Sequence, residues 1–171
     1  MKSLASLSVL IAASLAAACA AGPATKQNAN PNIDYPGFAA LVGDVETYRA
    51  KRLIDLDTFL RYAADEDTII LDSRSAEAFA RGHINGAVNL PFSDFTQEKL
   101  DTLIGDKSRR ILIYCNNNFA DNAEPVPLKR VELALNIPTF INLYGYGYEN
   151  IYELEEVISL NDQRLAFVRR S

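Results

Sequence analysis

The chain has 171 residues, 49% of them hydrophobic, enough for one substantial core and too few for two full domains. Seventeen Lys and Arg against 22 Asp and Glu give a net charge of -5. The basic residues come only in short pairs, such as Arg109-Arg110, Lys129-Arg130 and Arg169-Arg170, so the composition argues against a phosphate-backbone partner and no nucleic-acid binding is expected.

Residues 1–21 read as an export signal: Lys2 gives a positive start, residues 4–15 are uncharged and apolar, and small residues follow up to Gly22. The apolar run is too short to span a bilayer comfortably. Two cleavage readings stand. Leu15-Ala16-Ala17-Ala18-Cys19 resembles a bacterial lipoprotein signal, with its leucine four residues before Cys19 rather than three, while Ala18-Cys19-Ala20 fits ordinary small-x-small cleavage. The first attaches the chain to a membrane through lipidated Cys19; the second discards that residue. Either way Cys115 is left without a disulfide partner, an arrangement that calls for a reason in an oxidising compartment. The expected location is exported, in the periplasm or cell envelope, with a mature charge of -6 once Lys2 is lost.

Residues 22–37 are rich in Pro, Asn, Gly, Lys and Gln and read as a flexible tether. Phe38, Leu41, Val42, Val45 and Tyr48 then fall at helical spacing, so residues 38–52 form an N-terminal helical extension. From 53 to 160 short β-rich runs alternate with helical segments in the rhythm of a parallel sheet: strands at 52–54, 68–71, 87–90 and 111–114, and helices at 56–64, 76–81 and 97–104. Asp55 and Ser75 are the N-caps of two of these helices. The pattern also predicts a helix over 126–136, a last strand over 139–143 and a closing helix over 150–159, with residues 161–171 as a C-terminal tail.

Cys115 directly follows the apolar strand ending at Tyr114, which places its thiol at the carboxyl end of a strand, where open α/β sheets bind ligands. Backbone N–H groups and a facing helix N-terminus there favour thiolate over thiol. The alternative is a small buried core residue, the usual role of an unpaired cysteine.

Ile70-Leu71-Asp72-Ser73-Arg74, then Glu77, Phe79 and Arg81-Gly82-His83-Ile84-Asn85-Gly86-Ala87-Val88-Asn89-Leu90-Pro91, resemble the signature of rhodanese domains, and residues 111–115 resemble that family's strand and catalytic cysteine. The resemblance spans roughly residues 53–158. It implies a single rhodanese-like α/β domain with a central parallel sheet flanked by helices. It also implies that Cys115 accepts sulfur from a donor such as thiosulfate, becomes a persulfide and passes the outer sulfur to a thiol acceptor, with no metal and no organic cofactor. His83 is a structural residue in the family, and Asp72 with Arg74 reads as a buried ion pair organising the sheet's end.

One part departs from the family pattern. Transferase-active members follow the cysteine with a short loop containing Gly and ending in Arg. Here Asn116, Asn117, Asn118 and Phe119 open a longer stretch, up to Pro125, with neither. Asp121 and Glu124 would raise the thiol pKa if they pointed inward, and Lys129 and Arg130 would compensate if they reached the pocket. Asn116, Asn117, Asn118 and Phe119 either line an anion-binding loop, with the asparagine amides as the cradle, or form a polar turn. Tyr144-Gly145-Tyr146-Gly147-Tyr148 either walls the pocket or packs against its neighbours. A cysteine phosphatase needs arginine six residues after its nucleophile, and that position is Asp121.

Two functions of different class follow: a sulfurtransferase carrying sulfur on Cys115, or a rhodanese-fold module that binds a partner or senses oxidants without turnover. The partners of the first are a small sulfur donor and a thiol acceptor; the protein partner of the second is unspecified.

Overall fold

The computed structural model describes residues 30–169; the signal segment, Cys19 and the first half of the expected tether lie outside them. Asn30–Asp34 end the first of two units and form a turn, with Asn32 N–H donating to Asn30 Oδ1 at 2.9 Å. Everything from Tyr35 onward belongs to the second unit.

That unit is built on five parallel strands: β1 (Leu53–Ile54), β2 (Thr68–Asp72), β4 (Ala87–Asn89), β5 (Arg110–Tyr114) and β6 (Ile151–Leu154), in the order β1-β6-β5-β2-β4. The remaining strands, β3 (Gly82–Ile84) and β7 (Phe167–Arg169), pair antiparallel as a separate ribbon. The C-terminal tail expected from the sequence thus contributes a strand. The helices are α1 (Tyr35–Arg49), α2 (Leu56–Ala63), α3 (Ala76–Arg81), α4 (Gln97–Ile104) and α5 (Asn136–Gly145). Asp55 caps α2 and Ser75 caps α3, each side chain accepting an N–H three residues on.

Strand alternation sorts the core into two layers. Ile69, Leu71, Ile111, Ile113 and Ile151 face the layer completed by α1, α4 and α5; Ile70, Leu112, Tyr114 and Leu154 face the layer completed by α2 and Phe119. Apolar residues fill both faces, as a sheet covered on both sides requires.

Three elements differ from the sequence expectation. The helix predicted over 126–136 is extended chain with one short 3-10 turn, Val131–Leu133. Val126 precedes Pro127, which disfavours helical geometry, and side chains rather than a helical ladder satisfy the backbone: Pro127 O accepts from Asn116, Lys129 O from Asn117, and Leu128 N–H donates to Asn122. The run predicted as a strand over 139–143 lies inside α5. Its Thr139, Phe140, Ile141 and Leu143 are all buried, and a helix enclosed on most sides shows the same continuous apolar run as a buried strand. The predicted closing helix is instead β6, which fills the place between β1 and β5. Its acidic residue, Glu153, is buried against Arg49 and does not face solvent.

In α1, Leu41, Val45 and Tyr48 pack inward as the spacing predicts, whereas Phe38 and Val42 remain exposed. Gly145 makes room for this contact: a Cβ there would come within 3.0 Å of Leu41 Cδ2. Gly147 has φ +83°, the left-handed geometry that glycine alone adopts freely.

Candidate active site

The carboxyl ends of β2 and β5 carry two adjacent polar centres. At the end of β2, Asp72 and Arg74 form a buried ion pair, Nη2 to Oδ2 at 2.5 Å and Nε to Oδ1 at 2.9 Å. Arg74 is 3% exposed and spends its remaining donors on Gly82 O (2.7 Å), Pro125 O (3.2 Å) and Asn116 Oδ1 (3.3 Å). Tyr114 Oη donates to Asp72 and accepts from Ile84 N–H, and Asn89 donates to the carbonyls of Asp72 and Arg74. Burial opposes the Arg74 charge, but hydrogen bonds and attraction from Asp72 outweigh it and hold the guanidinium above its ordinary pKa. With every donor committed, Arg74 organises the strand ends and has none left for a substrate. His83 plays a similar part: Nδ1 lies 2.8 Å from Phe79 O and the ring stacks on Phe79 at 3.8 Å, fixing the passage from α3 to β3.

Cys115 follows Tyr114, so alternation turns its side chain toward the α5 side of the sheet. The thiol is 1% exposed. Backbone N–H groups of Asn136, Asn117 and Leu135 point at the sulfur and lower its pKa, two of them at the N-terminal end of α5. Burial pushes in the opposite direction and is the larger effect, Glu153 adds to it, and the thiol pKa is raised overall. The cradle at Cys115 is therefore made of main-chain amides.

The asparagine side chains do a different job from the one expected of an anion cradle. Asn116 Nδ2 donates to Pro127 O at 2.8 Å, and Asn117 exchanges two hydrogen bonds with the backbone of Lys129. Asn118 is the hub: its Oδ1 accepts from Cys115 N–H at 2.9 Å and from Asn136 Nδ2 at 3.1 Å, while its Nδ2 donates to Leu154 O and Glu156 O. Together they stitch the long segment down over the thiol. Phe119 does not line a binding loop; it is fully buried, edge-on to Tyr114 and Phe167.

Asp121 and Glu124 do not face the sulfur. Asp121 accepts from Leu160 N–H and Glu124 pairs with Arg81. Arg130 pairs with Glu132, and Lys129 lines the neighbouring cleft. The carboxylate that does act on the thiol is Glu153, which the sequence reading missed with Leu135 and Asn136; a Glu inside an apolar four-residue run is its only sequence trace. The three tyrosines pack: Tyr144 against Tyr48, Tyr148 in the core with its hydroxyl on Asp101, and Tyr146 beside it.

A cleft of about 850 Å³ opens beside these two centres, lined by residues of 73–78, by Phe92 to one side and by Asn116, Asn117, Lys129 and Leu133 to the other. Cys115 does not line it. Leu135 and Asn117 line the cleft and also turn their main-chain N–H groups to the thiol. No group of three or more potential metal ligands occurs among the described residues.

A sheet of parallel strands with a cysteine held in main-chain amides at the end of a central strand defines an α/β protein with a strand-end thiol site. The chain matches the family model for the rhodanese-like domain over residues 52–158 and belongs to that family. Its fold is similar to that of a rhodanese with anions from E. coli (21% identity, 60% of this chain and 99% of that one, TM-score 0.40). It is similar also to the BH2092 protein from Bacillus halodurans (21%, 66% and 73%, 0.44) and to EanB in complex with hercynine (20%, 66% and 25%, 0.46), of which it spans about a quarter. No curated protein matches. Family membership supports a place among sulfurtransferase-related proteins.

Proposed function

We propose that the protein is a sulfur carrier of the rhodanese type, holding a sulfane sulfur on Cys115 in a closed site rather than turning over a small donor rapidly. The observation that carries this reading is the convergence of three backbone N–H groups on a sulfur that the asparagine-stitched segment seals from water. A structural cysteine needs no such donors, and a fast nucleophile needs access and a low pKa.

In this scheme the Cys115 thiolate attacks the outer sulfur of a donor such as thiosulfate, the donor's S–S bond breaks and sulfite leaves. An acceptor thiolate then takes the terminal sulfur of the persulfide and Cys115 departs as thiolate. Each half-reaction uses one bond made and one broken, with no cofactor. The amides of Asn117, Leu135 and Asn136 hold the negative charge of the persulfide, and that of the thiolate when it forms. Burial makes the free thiol a poor nucleophile at neutral pH, so loading waits for residues 116–135 to lift. The same burial protects a lone thiol from oxidation, which suits an exported protein of the cell envelope. Export and lipidation at Cys19 belong to this proposal and rest on the pattern of residues 1–22; incorporation of a palmitate analogue, lost in Cys19→Ala, tests the second.

The test of the carrier role is intact mass after prolonged thiosulfate exposure, beside Cys115→Ser. Gain of one sulfur atom by the wild type alone supports it. Absence of gain at any exposure time sinks it and leaves the second reading, a binding module that uses the cleft at Phe92, Lys129 and Leu133. That reading is favoured by one observation: the cleft is open while the thiol is not.

A further inference from the structure

Glu153 lies in the middle of β6, where its backbone is in register with Leu53 of β1 and Ile113 of β5. Its side chain is 6% exposed, an expensive place for a carboxylate unless it is paired. Arg49, the last residue of α1, supplies the pairing: Nε meets Oε2 at 2.5 Å and Nη2 meets Oε1 at 2.6 Å, a two-pronged grip. Glu153 Oε1 also accepts from Asn136 Nδ2 at 3.1 Å, and the same nitrogen donates to Asn118 Oδ1, which receives the Cys115 N–H. Asn136 Oδ1 is buried with no hydrogen-bond partner. The Asn136 side chain is thus oriented by Glu153 and Asn118 alone, and Asn136 also supplies a main-chain N–H to the sulfur.

The charges around the thiol are few. From β6 comes Glu153; from α5 and from residues 116–118 come only uncharged groups; Asp121 and Glu124 are held elsewhere by Leu160 and Arg81. Arg49 is linked to the site through Glu153, with Glu155 adding to the field that Arg49 feels. α1 precedes the residues matched to the family, so the element that balances the charge at the thiol lies outside the matched domain.

We propose that Arg49 is a positioning residue for Cys115: by gripping Glu153 it balances the buried carboxylate that holds the Asn136 side chain, and so fixes the residue whose main-chain N–H serves the sulfur. This rests on Cys115 being the working group of the carrier proposed above. Without Arg49, Glu153 would press its charge on the thiolate and on the persulfide alike, and one of the two acceptors that anchor the Asn136 side chain would be free to move.

The test is a titration of Cys115 in the full chain labelled with [13Cβ]cysteine, following the resonance that disappears in Cys115→Ser. Arg49→Gln is expected to move the midpoint up by about one pH unit, a roughly tenfold loss of thiolate at a given pH. Glu153→Gln is expected to move it down by a similar amount, and Arg49→Lys to leave it near wild type. Midpoints that coincide in wild type, Arg49→Gln and Glu153→Gln overturn the assignment. Should Arg49→Gln fail to fold, an unmoved midpoint in Glu153→Gln overturns it by itself. Sulfur loading is scored separately by mass, so a chain that shifts as described but never gains sulfur retains Arg49 as the balancing charge and loses the carrier role.

Discussion

The two polar centres at the ends of neighbouring strands solve opposite problems. At Asp72 and Arg74 two full charges are buried and every donor has an acceptor, five of the guanidinium contacts falling on Asp72, Gly82, Pro125 and Asn116. At Cys115 a single group that is neutral at rest is buried among amides, with one carboxylate near it whose charge is cancelled from a third element. The first centre is rigid because breaking any part leaves a buried charge unpaired. The second is held by the stitches of the covering segment, each worth about 1 kcal/mol, although two donors of Arg74 also reach that segment, at Asn116 and Pro125, so the two centres share a boundary.

The largest effect should come from breaking the first centre. Arg74→Ala strands Asp72 in the interior and is expected to cost about 3–5 kcal/mol, measured by urea unfolding; a loss under 1 kcal/mol would mean that the pair is not closed in solution. Asn118→Ala removes the hub of the second centre. It should cost about 1–3 kcal/mol and speed iodoacetamide alkylation of Cys115 by roughly the tenfold that 1.4 kcal/mol of lost closure implies. Equal alkylation rates in mutant and wild type would show that the stitches do not control access.

The pH dependence separates the centres further. Burial favours the protonated thiol, so the Cys115 alkylation profile should rise with a midpoint above the ordinary thiol value of about 8.5. Because the folded pKa is raised, this group stabilises the fold fully below the unfolded pKa, and the contribution is lost as pH rises through the folded one. Cys115→Ser should flatten that part of the stability curve, and an unchanged curve would argue that the thiol is exposed in solution. The smallest effect is expected at His83→Ala, about 1 kcal/mol from one hydrogen bond and a stacked ring, with sulfur loading at Cys115 unchanged. Loss of loading there would give His83 a chemical role that its placement does not suggest.

Much of the first centre is legible in sequence. Residues 68–91 spell strand, capped helix and turn through local signals: the apolar run ending at Asp72, Ser75 as an N-cap, and Gly82 and Gly86 as punctuation. The strand leading into Cys115 is equally plain. Beyond Cys115 the local signals mislead, because residues 139–143 are apolar without a period and residues 150–156 look acidic and helical. What those segments become depends on partners far along the chain: α5 on the covering α1, and β6 on the gap between β1 and β5. The asparagines at 116, 117 and 118 give no hint in sequence that their amides are spent on Pro127, Lys129 and Leu154.

By itself, then, the sequence determined the parallel α/β class, the family signature and the strand-end place of Cys115, because these follow from side-chain period and turn residues within a few positions. Only the tertiary structure decided whether that thiol is open or sealed, which amides hold it and which charge faces it. Apart from Asn117, those depend on groups 20 to 66 residues away in the chain, such as Glu153, Asn136 and Arg49 against Cys115, brought together by packing and by the need of buried polar atoms for partners.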